Sequence, residues 1–526
     1  MPKVLVSDKL AKEGIEILEK VAQVDVNTGL SEDELCKIID NYDALVIRSG
    51  TTVTAKILDH AKNLKIIGRA GVGVDNVDVP YASSKGVIVC NSPGGNTLAA
   101  AELSMAMLMA LCRNIPQAHM SMKNKEWKRS LYSGIELYGK TIAILGLGKI
   151  GQTVAKRCQG FEMKVIAYDP FLPNEVAQSM GIELLPLDEC LKKADFVSLH
   201  LPKNKETLGI INKDKFNIMK TDVRIVNCAR GGVINDDDLI DALKSGKVAG
   251  AALDVYISEP PDFSSELFEL PNVICTPHLG ASTAEAQVGV AIDVAEQIAT
   301  VFSGGTARSA VNMPSMSTDI MEKISPFMNL SQNMAQFLSA MSTGALSQLE
   351  IIYSGKISTY NTEYIKRNIL VGLLKDILGN HINVINATDM AKNRGLKVVE
   401  SKNDESGVYS SLITLKVTTK EEIEEISGSI FDGTIARVVK INNNMIDFSP
   451  EGIMLLVNHT DKPGVIGAIG SILGNVNVNI ASMNVGRTKK GYAYMVLSID
   501  NEVPEGTLKD ISKLEAVKIV KQIHID

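Results

Sequence analysis

One run of the chain constrains its fold more than any other. It reads Thr141-Ile-Ala-Ile-Leu-Gly146-Leu-Gly148-Lys-Ile-Gly151, then a helix-like stretch, then Lys164-Val-Ile-Ala-Tyr-Asp169. An apolar strand runs into a G-x-G-x-x-G turn, and a second strand ends in an acid roughly twenty positions on. That spacing predicts a dinucleotide-binding βαβ unit. Gly146 suits the tight turn because it has no Cβ to clash at positive φ. Gly148 lets the backbone approach a pyrophosphate, and Gly151 lets helix and strand pack closely. The helix N-terminus then offers free N–H groups and a positive dipole end. Asp169 is expected to accept hydrogen bonds from both ribose hydroxyls and to repel a 2′-phosphate, which favours NAD over NADP. A lone glycine turn would fit any doubly wound sheet. Strand, turn, helix, strand and acid together argue for the cofactor.

A chain of 526 residues has room for roughly three or four domains. Its 45% hydrophobic and 22% charged content is that of an ordinary globular protein. The formal net charge of -7 argues against a nucleic-acid partner, since there is no surplus of Lys and Arg to neutralise phosphates. The start, Met1-Pro-Lys-Val-Leu-Val-Ser-Asp, reads as a strand rather than a signal or transit peptide. The apolar stretch Leu98 to Cys112 contains Glu102 and is too short to span a bilayer. The 7 cysteines are scattered without metal-ligand spacing, so reduced thiols, a cytoplasmic location and no metal are expected.

Residues 3–95 alternate strand and helix, with strands at Val4–Ser7, Ala44–Arg48, Lys65–Arg69 and Val87–Cys90. This predicts an open parallel sheet ahead of the dinucleotide unit, hence a separate domain. Residues 98–114 read as a helix carrying the chain across. Further strands are expected at Phe196–Leu199, Arg224–Asn227, Ala251–Asp254 and Val273–Thr276. A helix from 283 to 303 is expected to return to the first domain. The fold class that follows is α/β. It has two doubly wound parallel-sheet domains, one flavodoxin-like and one Rossmann, and then two C-terminal α+β domains. The expected boundaries are 1–97 with 284–306, then 98–283, 315–450 and 451–526. The last unit reads βαββαβ, the ferredoxin-like order.

Hydride transfer at a hydroxyl-bearing carbon needs three protein roles. A planar guanidinium grips the carboxylate and polarises the carbonyl. A histidine moves the hydroxyl proton. A carboxylate on that histidine fixes its tautomer. The chain offers Arg230, His278 and Glu259, each just C-terminal to an expected strand, the edge where open α/β sheets bind ligands. Each has an ordinary structural reading: a surface ion pair, a buried histidine, a helix cap. Three such residues at one sheet edge after a nucleotide motif argue for the site. Cys228 reads as a small buried residue more readily than as a ligand contact.

Gly146–Gly151, the Asn227-Cys-Ala-Arg-Gly-Gly232 loop, Ala252-Leu-Asp254 and Thr276-Pro-His278 resemble the D-isomer-specific 2-hydroxyacid dehydrogenase family. The resemblance implies Arg230, Glu259 and His278 as the catalytic set and NAD as cofactor. It places Asp254 at the nicotinamide carboxamide, and it implies further cofactor contacts at Gly146, Gly148, Lys149, Ile150, Gly151, Asp169, Thr207, Cys228 and Gly280. Lys149 departs from the family, where Arg is commoner. Ile47-Arg-Ser-Gly50 and Gly68-Arg-Ala-Gly-Val-Gly-Val-Asp-Asn-Val77 resemble the branch that acts on a phosphorylated substrate. That implies 3-phosphoglycerate as substrate and 3-phosphohydroxypyruvate as product. Arg48, Ser49, Val72, Gly73 and Asn96 are then the substrate contacts. Lys123–Arg129 reads equally as a basic helix end or as a supply of charge to a neighbouring subunit's cleft, and Trp127 as an interface or core anchor. Asn458-His-Thr-Asp-Lys-Pro-Gly464 with Val478–Met483 resembles an ACT domain, which implies L-serine as effector at His459, Asp461 and Asn479. The resemblance also implies a homotetramer. A sister enzyme acting on hydroxypyruvate or glyoxylate remains the alternative, and a non-enzymatic NAD-fold binding protein is a second.

Overall fold

A computed structural model of the chain describes residues 1–314, 316, 318–488 and 491–525, arranged on four sheets. The first holds β1 (Lys3–Val6), β2 (Gln23–Val26), β3 (Ala44–Ile47), β4 (Ile66–Arg69) and β5 (Ile88–Asn91). All pairs are parallel and the order is β2-β1-β3-β4-β5, the flavodoxin-like order. The inner strands read as short apolar runs because both faces are covered. β2 is absent from the sequence reading. It is an edge strand with no fully buried residue, so it lacks the apolar run that marks its neighbours.

The second sheet holds β6 (Thr141–Leu145), β7 (Lys164–Tyr168), β8 (Glu183–Leu184), β9 (Phe196–Leu199), β10 (Val223–Asn227), β11 (Val248–Leu253) and β12 (Val273–Cys275). Its order, β12-β11-β10-β9-β6-β7-β8, reverses direction between β6 and β9, the switch point of a Rossmann sheet. β8 has two residues and no sequence signal. The helix Thr97–Arg113 ends at Asn114, which takes a left-handed φ of 51°. A second helix, Ile115–Lys123, follows at a bend of 64°. No single helix among the described residues is long and apolar enough to cross a membrane.

The helix Ala284–Phe302 packs back on the first sheet. A Cβ on Gly14, in the helix Lys12–Glu19, would lie 2.8 Å from the carbonyl oxygen of Ala291. The segment after this helix then runs antiparallel to β5. Ala310 bridges Cys90, and Val311 donates to the carbonyl of Val89 at 2.8 Å. Asn312 accepts from the Val89 amide at 3.0 Å and donates to the Val87 carbonyl at 2.8 Å.

The third sheet holds β13 (Gln348–Gly355), β14 (Lys397–Asn403), β15 (Ser411–Thr418), β16 (Ile423–Phe431), β17 (Ile435–Ile441) and β18 (Asn444–Phe448), in the order β14-β13-β15-β16-β17-β18. The fourth holds β19 (Gly452–Thr460), β20 (Ile480–Arg487), β21 (Tyr492–Ile499) and β22 (Val517–Ile525). Its antiparallel order β20-β21-β19-β22, with helices Val465–Asn475 and Glu505–Ser512, is ferredoxin-like. The helix Thr318–Met341 lies between these two sheets. Its Phe337 and Leu338 share one core with Ile413 of the third sheet and Met454 of the fourth. Gln336 of this helix donates to the His524 carbonyl at 2.8 Å, and Lys521 caps the helix end through Ala340 at 2.6 Å. The fold class expected from the sequence is the one observed.

His200 closes β9 against the glycine turn. A Cβ on Gly146 would lie 2.7 Å from the His200 carbonyl oxygen. The imidazole shares a hydrogen bond with the Ser198 hydroxyl at 2.9 Å. Burial pushes the ring pKa down to about 4. The unfolded chain takes up this proton near pH 6.5 and the folded chain only near the depressed value. The stability contributed by neutral His200 is therefore complete above about pH 6.5 and is lost as the pH falls toward the folded value. Thermal melting between pH 7.5 and 5 is expected to drop more steeply for the native chain than for His200→Gln. Parallel curves would show that other groups set the acid limit.

Candidate active site

The C-terminal ends of the first two sheets face each other across a cleft of about 510 Å³. The first-sheet wall carries Arg48, Ser49, Arg69, Val72, Gly73, Asp75 and Asn96. The opposite wall carries Lys203, Arg230, Glu259 and His278. The catalytic and substrate-contact residues singled out in the sequence thus line one cleft.

Polar side chains hold each loop in place. Asp8 accepts from the Arg48 amide at 2.6 Å and from the Thr51 amide at 3.0 Å, which folds the 48–51 loop. Asn76 donates to the carbonyls of Arg48 and Thr51 at 2.7 and 2.6 Å, tying the 71–76 loop to it. Asn227 donates to the Arg230 carbonyl at 3.0 Å and accepts from the Ala229 amide at 3.1 Å, so the loop after β10 turns Arg230 toward the cleft. The glycines of Gly71-Val-Gly73 make room for guanidinium groups. A Cβ on Gly71 would collide with Nη1 of Arg69, and one on Gly73 with Nη2 of Arg230.

His278 Nδ1 meets Glu259 Oε2 at 2.6 Å. An ionised carboxylate only accepts, so Nδ1 carries the proton and Nε2 is left as the free base. Burial alone would raise the Glu259 pKa, but the hydrogen bond and charge of His278 and the Tyr256 amide hold it below its ordinary value. Glu259 therefore stays ionised across neutral pH. His278 sits at φ 52°, a left-handed conformation that costs a β-carbon residue energy. Asp254 holds it there. Asp254 is fully buried and accepts from Thr276 Oγ1 at 2.6 Å, Leu279 N at 2.7 Å and Gly280 N at 2.9 Å. Three of its roughly four lone-pair sites are thus engaged by the loop that carries His278, and one on Oδ2 is left for a ligand such as the expected nicotinamide carboxamide. Gly280 belongs to the same network.

The dinucleotide turn has the expected shape. Gly146 takes φ 94°, and a Cβ on Gly151 would collide with the Gly146 carbonyl. A Cβ on Gly148 would meet nothing within 4 Å, so the approach to the backbone is open. The helix Lys149–Gly160 begins there with no side-chain cap, which leaves its first amides, including that of Ile150, free for phosphates. Asp169, at the end of β7, accepts from Leu147 N at 2.8 Å, Phe171 N at 2.9 Å and Leu172 N at 3.2 Å. These bonds fix the carboxylate beside the turn and leave one of its roughly four lone-pair sites for a ribose. The residues present therefore fit a dinucleotide.

Thr207 is buried, and its hydroxyl donates to the Pro202 carbonyl at 2.5 Å, so its visible role is to shape the 202–207 loop. Burial pushes the Cys228 thiol up to about 12, which makes it an inert packing group. Neither lines the substrate cleft. Lys123–Arg129 lies outside this chain's own cleft, and Trp127 is 80% exposed, which removes the core-anchor reading. In the fourth sheet His459 is buried with Nε2 unpartnered among the described residues. Asp461 pairs with Arg487 at 3.0 Å, and Asn479 donates to Asp500 at 2.7 Å.

Four residues that position or charge the cleft escaped the sequence reading: Asp8, Arg69, Asp75 and Lys203. Arg69 is the most perturbed. Burial, with Arg230 nearby, lowers its pKa to about 10. Among the described residues its Nε has no hydrogen-bond partner, nor does Asn96 Oδ1. Polar atoms left bare at a cleft wall call for a polar ligand.

Three family models match the chain. The D-isomer specific 2-hydroxyacid dehydrogenase NAD binding domain covers residues 105–280, the D-3-phosphoglycerate dehydrogenase intervening domain 323–442, and the ACT domain 453–516. The D-3-phosphoglycerate dehydrogenase of Synechocystis is 45% identical over 98% of this chain and 94% of its own. That of Methanocaldococcus jannaschii is 44% identical over 100% of both. The structure of D-lactate dehydrogenase from Aquifex aeolicus, complexed with NAD and lactic acid, is 26% identical. It covers 60% of this chain and 100% of its own, with a TM-score of 0.54.

The Asp254 network has a direct test. Asp254→Asn turns one acceptor into an NH2 group facing either Thr276 and the Leu279 amide or the Gly280 amide. The expected cost is about 1–3 kcal/mol of stability, read by urea unfolding, with a matching fall in turnover. An unchanged midpoint and rate would mean that something else holds the 276–280 loop.

Proposed function

The chain belongs to the D-3-phosphoglycerate dehydrogenases of the D-isomer specific 2-hydroxyacid dehydrogenase family, and on that premise we propose that its cleft oxidises D-3-phosphoglycerate to 3-phosphohydroxypyruvate. It is an NAD-dependent dehydrogenase. Bound NAD supplies the acceptor for the hydride that leaves C2 of the substrate. His278 Nε2 removes the hydroxyl proton, and Glu259 keeps the tautomer and stabilises the imidazolium that results. Arg230 holds the carboxylate and the oxygen that becomes a carbonyl. The N–H groups near Val72 and Gly73 take the other side of that carboxylate.

The observation that carries the substrate is the charge of the cleft. Among the described residues that line the cleft, the cations Arg48, Arg69, Lys203 and Arg230 outnumber the acids Asp75 and Glu259. That surplus suits a ligand with both a carboxylate and a phosphate. Arg48 and Arg69, on the first-sheet wall, and Lys203, on the opposite one, are the groups offered to the phosphate. Asp169 supports NAD over NADP, because a fixed carboxylate beside the ribose repels a 2′-phosphate.

The ACT domain supports L-serine as an effector, with His459, Asp461 and Asn479 as its contacts. Asp461 and Asn479 would release Arg487 and Asp500 to take it, which links binding to a rearrangement. The exposed Ile115, Met122, Trp127 and Leu131 support assembly of several copies, a homotetramer by the family resemblance. A cytoplasmic location accords with this biosynthetic role.

NADH oxidation tests the reading. The expected kcat/KM for 3-phosphohydroxypyruvate exceeds that for hydroxypyruvate by at least about tenfold, the worth of one charged hydrogen bond. Millimolar L-serine is expected to suppress the rate. Equal rates for the two keto acids would leave the cations without a phosphate and favour the hydroxypyruvate or glyoxylate alternative. A rate unmoved by serine would confine the ACT domain to assembly.

A further inference from the structure

Arg230 lies in the second lobe, and its carboxylate partner lies in the first. Asp75 Oδ2 accepts from Arg230 Nε at 3.1 Å, across 155 positions of sequence and across the cleft. On its other side Arg230 Nη1 donates to the Ala229 carbonyl at 2.7 Å. A guanidinium has five N–H groups in a fixed plane. Two are thus engaged at one edge and one end. The Nη2 end is left pointing at Gly73, where even a Cβ would not fit. The Arg230 side chain is only 27% exposed, whereas that of Asp75 is 60% exposed. The pair is therefore held at the arginine end and open to solvent at the carboxylate end. Asn76, the next residue, anchors the Asp75 loop to the Arg48 loop, so the carboxylate is itself carried on a braced segment.

We infer that Asp75 is a positioning residue for Arg230. It grips Nε from the opposite lobe and thereby fixes which N–H groups are aimed at the substrate. This inference rests on the reading of Arg230 as the group that holds the substrate carboxylate. An isolated surface ion pair would contribute little. Here the pair fixes the plane of a guanidinium whose orientation the reaction uses. Without Asp75 the guanidinium can rotate about its last torsions, and the carboxylate and carbonyl oxygen lose a fixed fork. Asp75 touches neither substrate nor cofactor in this scheme and acts only through Arg230. Because its loop belongs to the other lobe, the aim of Arg230 also depends on how closely the lobes approach.

A double-mutant cycle tests this on the full chain with Asp75→Ala, Asp75→Asn, Arg230→Lys and the Asp75→Ala/Arg230→Lys pair. The assay uses whichever of 3-phosphohydroxypyruvate and hydroxypyruvate the native enzyme reduces. A failed phosphate reading therefore leaves the cycle intact and shows itself in the native enzyme alone. Asp75→Ala is expected to lower kcat/KM by about 10- to 100-fold, the loss of one charge-assisted hydrogen bond. The KM for NADH should stay within about twofold, since nothing near the dinucleotide turn changes. Asp75→Asn should recover most of the rate, because its amide oxygen still accepts from Nε. In the Arg230→Lys background Asp75→Ala should add nothing, since lysine has no Nε fork to orient. Additive losses would overturn the inference. So would an Asp75→Asn variant no better than Asp75→Ala at equal melting temperature.

Discussion

Asp254 is a fully buried carboxylate on which the catalytic edge depends. Burial raises its pKa, and three donors from Thr276, Leu279 and Gly280 offset part of that rise. A buried charge is tolerable only when so satisfied. The three donors all belong to the turn that holds His278 in its left-handed conformation. One charge at the end of β11 thus sets where the base sits, and the Glu259 bond then sets which nitrogen is free.

The same economy recurs on the other wall. Asp8 and Asn76 fold two loops with their side chains, as Asn227 folds the Arg230 loop. The cations are then displayed on loops whose backbones are already hydrogen-bonded, so little ordering remains when a ligand arrives. The lobes touch through Arg230 and Asp75 across the cleft.

The parallel sheets were legible because strands buried on both faces must read as apolar runs, as Ala44–Ile47 and Phe196–Leu199 do. β2 and β8 were not, since an edge strand with polar residues carries no such signature. Arg230, Glu259 and His278 could be picked out because each residue type follows a strand end. Asp75 and Lys203 could not. Nothing local distinguishes a carboxylate that reaches across 155 positions from one that meets water. Arg69 lies inside the Gly68–Val77 motif, yet only the packed structure reveals its burial. For Asp254 the sequence indicated the site but not the three donors of the 276–280 loop, because a loop that folds back onto a strand end leaves no periodic trace.

The segment 309–312, which runs along β5, has a consequence for how the chain can be divided. An open parallel sheet ends in a row of unpaired amides and carbonyls, a template on which a stranger's strand can grow. Here the chain covers that row with its own next stretch before it starts another domain. A fragment cut just after the helix Ala284–Phe302 would keep every group of the cleft and lose this cover. It would then carry a bare, apolar rim at Val89 and Cys90. The join between the two halves of the molecule therefore also works as a guard against sticking.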